Sequence, residues 1–269
     1  MTPLKIGAAL RAEEVAAHRD WLFDDARDIE IQDFMSHTAL GAERQDTVAR
    51  VRAALEGHDG RRGIHGPFEG LDLDNKDPEL RPLISARLVA AVECAAAIGA
   101  TQMVVHSPYT AWYRNNRLAS PGYAEDKLAR IAATLAPVLA AATREGVTLV
   151  VENIQDPDPA TRREMVAAIG GPLALSIDTG HAQLARRAAE APPVDYFVRD
   201  AGDGLAHVHL QDVDGHADRH WPPGEGEIEW AAVFRALADA PAPHLVLELR
   251  DKATIPQGFA WLRARGLAA

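Results

Sequence analysis

The chain has a single cysteine, Cys94, among its 269 residues. This rules out an intrachain disulfide and any cysteine-cluster metal site, and the thiol reads as a small buried hydrophobe in a helix. Only four residues are lysine, and the formal net charge is −11. A broad phosphate-binding surface needs clustered Lys and Arg, so the composition argues against a nucleic-acid partner. No apolar run approaches the roughly 20 residues that span a bilayer. No secretory pattern follows Met1, and a cytoplasmic location without membrane attachment is the expectation. No Gly-rich phosphate fingerprint follows any early strand, which counts against a dinucleotide-binding sheet. Linkers, low-complexity tracts and short-period repeats are also missing from the sequence.

What is present is a core. Hydrophobic residues make up 47% of the chain and charged residues 25%, values of one globular protein. Apolar runs alternate with helical patterns eight times. Strands are expected at Leu4–Leu10, Asp28–Phe34, Gly63–Phe68, Gln102–His106, Thr148–Ile154, Ala174–Asp178, Ala206–Gln211 and His244–Leu249. Helices are expected between them, at Ala12–Ala26, Glu43–Glu56, from Leu80 to the stop at Gly99, around Leu128–Leu139 with a kink at Pro137, at Thr161–Ile169, from near Gly180, at Glu229–Ala238 and at Gln257–Arg265. Several strands are continuous apolar runs, as expected when both faces are buried. Eight such units favour a single α/β domain over residues 1–269, a closed (β/α)8 TIM barrel.

In such a barrel the chemistry sits at the carboxyl ends of the strands. Nine Asp, Glu and His side chains fall there: His65, His106, Glu152, Asp178, His181, His209, Asp218, His220 and Glu248. Asp218-Arg219-His220 lies in a ligand-rich loop that closes on Pro-Pro-Gly-Glu-Gly. Imidazole and carboxylate together suit zinc, manganese, cobalt or magnesium. A lone Glu inside LVVENI must be compensated by a cation, either an arginine or a metal. Arginine is scarce on the strands, so a metal accounts better for Glu152 and Glu248 together. His65 or His106 alone would read as an ordinary buried histidine, and His181 as a residue of a helix's first turn. Their joint placement with the carboxylates favours ligation. His18, His37, His58 and His244 read as structural or surface residues. His207 lies deeper on its strand than His209, as core or support, and Asp214 and His216 have no assigned role.

The segments IHGPF, VVHSPY, LVVENI, SIDTGH, HVHLQD, DRHWPPGEGEI and LVLEL together resemble the xylose isomerase-like TIM-barrel superfamily, over essentially the whole chain. That superfamily includes sugar isomerases and epimerases and the endonuclease IV-type (AP endonuclease family 2) enzymes. The resemblance implies one to three divalent metals. Single-metal epimerases would match Glu152, Asp178, His209 and Glu248, with the two glutamates moving the proton. The three-metal endonuclease-type site would match all nine residues: His65 and His106 with Glu152; Glu152, Asp178, His209 and Glu248; and His181, Asp218 and His220. Two features depart from the endonuclease pattern. The loop SHTALGAERQ is short and not notably basic, and Phe68 stands where a tyrosine is expected.

The resemblance therefore implies two chemistries. In the first, a sugar or sugar-phosphate isomerase or epimerase works by enediolate proton transfer between Glu152 and Glu248. His181 would steady the enediolate oxygen, and Tyr109, Trp112, Tyr113 and Trp221 would wall the substrate. In the second, a multinuclear phosphoester hydrolase acts on a small substrate or, less in keeping with the charge, on abasic DNA. A non-catalytic barrel with one structural metal is disfavoured, because structural sites rarely use so many open-rim ligands. Charge and loop composition favour the first, with a small carbohydrate as partner. A homo-oligomer is implied by the likeness alone.

Overall fold

The structure, a computed structural model, describes residues 4–269. Eight parallel strands close into a barrel in sequence order. They are β1 (Gly7–Leu10), β2 (Ile29–Ile31), β3 (Arg62–His65), β4 (Gln102–His106), β5 (Thr148–Glu152), β6 (Leu173–Asp178), β7 (Leu205–Leu210) and β8 (His244–Leu247). The expected (β/α)8 architecture is thus the observed one. The strands are short, and Ile31, Ile64, Val104, Val150, Ile177, Val208 and Leu247 are all buried. Burial on both faces explains their apolar runs.

Register places the polar residues. His106 pairs with Glu152 across β4 and β5, and Asp178 with His209 across β6 and β7. An irregularity between Leu175 and Ser176 sets that second pairing. Without the shift, Asp178 would face a neighbouring position of opposite orientation.

The boundaries differ from expectation in several places. Ordered pairing in β1 begins at Gly7, with Leu4 only in an isolated bridge to Ala268. The second strand stops at Ile31, because Asp33–Met35 turns into a 3-10 helix. The first helix is three short pieces, Ala12–Val15, Ala16–His18 and Arg19–Phe23. The helix Tyr123–Glu145 runs continuously past Pro137. Two helices fall outside the expected set. Ala111–Asn116 is capped by Thr110, and Val194–Ala201 buries Val194, Phe197, Val198 and Ala201. Among the described residues no helix is long and apolar enough to cross a membrane.

Candidate metal centre

Asp178 ends β6 and caps the next helix, Thr179–Ala189, by accepting from the His181 amide at 2.6 Å. One carboxylate therefore fixes the first turn that carries His181. Gly180 has no side chain for a packing reason. A Cβ there would lie 2.3 Å from the Gln211 amide group. Gln211 in turn donates to Asp178 Oδ1 at 3.0 Å and to Asp218 Oδ1 at 3.2 Å, and accepts from the His220 amide. His220 holds a positive φ of 52°, a strained conformation for a residue with a side chain. The Gln211 bond and the His220 Nδ1–H bond to the Glu248 carbonyl (2.8 Å) hold it there.

All nine rim residues converge in three contiguous groups. His65, His106 and Glu152 form one; Glu152, Asp178, His209 and Glu248 form the second; His181, Asp218 and His220 form the third. Within each, the candidate ligand atoms lie within 4.8 Å of one another. Glu152 belongs to two groups. These are the partitions that the family resemblance implied, and they are built from strand ends and the loops that follow them.

The histidines are oriented for ligation rather than for packing. A carbonyl oxygen only accepts, so a ring nitrogen facing one carries the proton. His65 Nδ1 faces the Gly66 carbonyl at 2.8 Å, His181 Nδ1 the Asn153 carbonyl at 3.1 Å, and His220 Nδ1 the Glu248 carbonyl. Each leaves Nε2 directed at the cavity. The two imidazoles His65 and His106 bring their Nε2 atoms to 3.4 Å. Outer partners of this kind fix the tautomer of metal-ligating histidines.

The charges are strongly coupled. Burial alone would raise Glu152, but His209 and its other imidazole neighbours hold it well below the usual carboxylate range. Burial pushes Asp178 up to about 6, with Glu152 and Glu248 adding to it against His181 and His220. Burial pushes His106 down to about 3. Against burial, Asp218 and Glu248 raise His220 to about 9. Glu152 Oε2 and Asp178 Oδ2 are buried without a hydrogen-bond partner. Such atoms are costly, and cations bound at the rim groups would satisfy them. The donor set and these orphaned oxygens fit a divalent metal.

Reading the sequence missed Glu30 and Gln32. Glu30, on β2, is buried and accepts from His209 Nε2 at 2.9 Å, with His207 Nε2 3.1 Å from its other oxygen. His207 is thus a buried support, as its depth suggested, and Ser176 holds its Nδ1 at 2.8 Å. Gln32 donates to Glu248 Oε1 at 2.8 Å. The signal for Glu30 was a carboxylate inside the apolar run DIEIQDF, the same anomaly that drew attention to Glu152.

A cavity of about 640 Å³ opens over the groups, bounded by Gln32, Phe68, His106, Glu152, Asp218 and Lys252 among others. Phe68 stacks on His106, with ring centroids 4.3 Å apart. The four aromatics expected to wall the substrate lie elsewhere. Tyr109, Trp112 and Tyr113 line an adjoining cavity of about 440 Å³ that shares His106. Tyr109 and Tyr113 are buried beside Lys127, while Trp112 is 73% exposed. Trp221 packs under the Arg219 guanidinium.

A closed parallel barrel whose rim gathers carboxylates and imidazoles into candidate metal-binding groups defines a class of TIM-barrel protein. The family model described as "Xylose isomerase-like TIM barrel" matches residues 23–265, and the chain belongs to that family. It is 27% identical over 186 residues to an uncharacterised protein of Methanocaldococcus jannaschii, covering 65% of this chain and 59% of that one. It is 38% identical to fructoselysine 3-epimerase of Escherichia coli O157:H7 over 50 residues, 19% of this chain and 18% of the other. The chain thus matches less than two thirds of the length of these relatives. Among solved structures, the TTHB071 protein from Thermus thermophilus, soaked with ZnCl2, superposes with a TM-score of 0.76 at 27% identity, covering 97% of both chains. A D-tagatose 3-epimerase-like protein gives 0.77 at 20% identity, covering 97% of this chain and 96% of that one, a likeness of fold.

Proposed function

We propose that the chain is a divalent-metal-dependent sugar or sugar-phosphate isomerase or epimerase. The observation that carries this reading is the convergence of Glu152, Asp178 and His209 on β5, β6 and β7 with Glu248 just past β8, with two of their oxygens orphaned. The four would hold a divalent cation, which when bound polarises a substrate carbonyl and acidifies the adjacent C–H. Glu152 and Glu248 face the same cavity and serve as the groups that remove and return the proton. Gln32 holds Glu248 by one oxygen, which leaves Oε2 for the substrate. In this single-metal reading His181 is not a ligand; against its burial the Asp178, Asp218 and Glu152 carboxylates hold it cationic, so that Nε2–H donates toward the developing enediolate oxygen. The epimerases named among the relatives and neighbours support this choice of substrate class.

The test is solvent deuterium incorporation into a panel of ketoses and inososes, free and phosphorylated, with manganese, cobalt or zinc supplied. Glu152→Gln and Glu248→Gln should each slow exchange by about 10²–10⁴-fold. Exchange left intact in both variants rules out the two-glutamate mechanism.

A second reading is favoured by the two flanking groups, His65/His106 and His181/Asp218/His220, which a single-metal epimerase does not need. On that reading the chain is a two- or three-metal phosphoester hydrolase for a small substrate. Phosphate diesters belong in the same panel.

A further inference from the structure

The mouth of the barrel is not uniformly acidic. Three cations line the same cavity on the side formed by the loops after β1 and β8, which are neighbours in the sheet: Arg11, Arg250 and Lys252. Among the described residues, none has a carboxylate within 4.0 Å. The Arg250 guanidinium donates only to the Asp218 carbonyl at 2.8 Å, and the Lys252 ammonium only to the Gln32 amide oxygen at 2.9 Å. The Arg11 side chain makes no hydrogen bond among the described residues, because Glu14 is engaged by the Arg11 backbone amide instead. In a chain of net charge −11 with four lysines, three cations gathered on one side of one cavity, none within ion-pair distance of a carboxylate, form a local positive patch that attracts an anion.

We propose that Arg11, Arg250 and Lys252 form an anion subsite, and that the sugar turned over at the metal groups carries a phosphate ester or a carboxylate at its far end. This rests on the isomerase reading for the word sugar, and on the cavity alone for the anion. Guanidinium and ammonium groups recognise either anion by charge-assisted hydrogen bonds. Glu14, Glu152, Asp218 and Glu248 also face this cavity. The last three belong to the candidate metal groups, whose cations would offset them when bound, and Glu14 accepts from the Arg11 backbone amide. Burial lowers Lys252, with Arg11 adding to it and Glu248, Glu14 and Glu30 opposing. A bound anion relieves that burden directly. The subsite is also wired to the chemistry: Lys252 holds Gln32, and Gln32 holds Glu248.

The experiment measures binding of D-fructose, D-fructose 6-phosphate and D-fructuronate to the manganese-loaded full chain by calorimetry. At least one anionic ligand should bind about tenfold or more tightly than D-fructose, and which one wins distinguishes phosphate from carboxylate. In the double variant Arg11→Gln, Lys252→Met that preference should fall to within about threefold of unity. Arg11→Gln alone, at an exposed side chain, should lose part of it and keeps the test open if Lys252→Met fails to fold. Equal binding of all three ligands, or a preference that survives the double substitution with metal content unchanged, overturns the proposal. Anion preference without turnover of any sugar sinks the isomerase reading and leaves the subsite standing. Turnover of neutral sugars with no anion preference does the reverse.

Discussion

Glu30 Oε1 lies 2.9 Å from His209 Nε2, on the far side of the imidazole from Glu152, whose Oε1 lies 2.9 Å from Nδ1. His209 is therefore held between two buried carboxylates. The imidazoles His209 and His207 keep Glu30 below the usual carboxylate range although its burial opposes this, so Glu30 accepts and Nε2 carries the proton. That assignment turns the Nδ1 lone pair toward the Glu152, Asp178 and Glu248 oxygens whenever a cation replaces the second proton. Glu30→Gln keeps the shape and removes the charge. It should lower manganese or zinc affinity about 10–100-fold, measured by competition with a chelating dye. Nitrogen NMR of the imidazoles should show a changed tautomer at His209, which a merely structural role would not move. Unchanged affinity would show that Glu30 only packs the barrel floor.

Metal removal should destabilise the fold. Glu152 Oε2 and Asp178 Oδ2 are buried with no hydrogen-bond partner. A ligand bound to the folded chain alone stabilises it by mass action, about 2.7 kcal/mol at a hundredfold excess over Kd. Thermal melts with and without EDTA should differ by several degrees, with re-addition of manganese or zinc restoring the higher value. Identical melts at matched ionic strength would count against any cation at the rim.

Much of the barrel was legible because its physics is local. Eight apolar runs with helical spacing between them predict the order of elements, and strand-end polarity predicts the nine rim residues. Glu152 in LVVENI was conspicuous, because a charge in an apolar strand demands compensation. Glu30 in DIEIQDF posed the same demand, but Asp28, Gln32 and Asp33 in that run make one more carboxylate inconspicuous; its partners His207 and His209 lie 177 and 179 positions on. The helix Val194–Ala201 lay outside the expected set, although its buried residues fall at helical spacing after Pro193. The placement of Tyr109 and Tyr113 was not. Whether a loop aromatic faces a substrate cavity or a buried lysine depends on Lys127, whose partner Asp74 lies on another loop.

Behind the rim, Arg162 is fully buried and donates from Nη1 to the Ser176 carbonyl at 2.8 Å, Asn153 Oδ1 at 3.2 Å and the Val151 carbonyl at 3.3 Å. Asp156 lies 3.8 Å from its Nε. Arg162→Met leaves three acceptors and a carboxylate without their cation, and should cost about 3–5 kcal/mol by urea unfolding. Asn153 also accepts from the Asp178 amide, so metal content should fall with it. A loss below about 1 kcal/mol would mean that water replaces the guanidinium.

Asp156 gives a signed pH dependence. Burial pushes it up to about 6, against the opposing influence of Arg162 and of the Ser107 hydroxyl that donates to it at 2.8 Å. An unfolded aspartate titrates near about 4. The folded chain therefore holds this proton more tightly, and the group's contribution to stability is full below about pH 4 and is lost as pH rises through about 6. Asp156→Asn cannot titrate. The wild-type stability minus that of the variant should decline between about pH 4 and 6 and be flat above about 7. Urea titrations at intervals across that range check it, and a difference that grows with pH would show that Arg162 keeps Asp156 ionised throughout.

Asp218 and His220 discriminate between the two readings of the rim. The His181 and His220 imidazoles hold the Asp218 carboxyl well below the usual range against burial, while His181 Nε2 lies 3.5 Å from Asp218 Oδ1 and His220 Nε2 3.1 Å from Asp218 Oδ2. A cation ligated there would be separate from the one that Glu152, Asp178, His209 and Glu248 hold. Elemental analysis of the purified chain should give three metals if all three groups fill, and one if only the central group does. Asp218→Ala with His220→Ala should then remove one equivalent in the first case and none in the second. If the double variant loses no metal while the wild type holds three, the third group is not a ligand set, and its charges serve only to hold His181 in place. If the wild type holds one metal, the phosphoester hydrolase reading fails with the same measurement, because its chemistry needs a second cation beside Glu152.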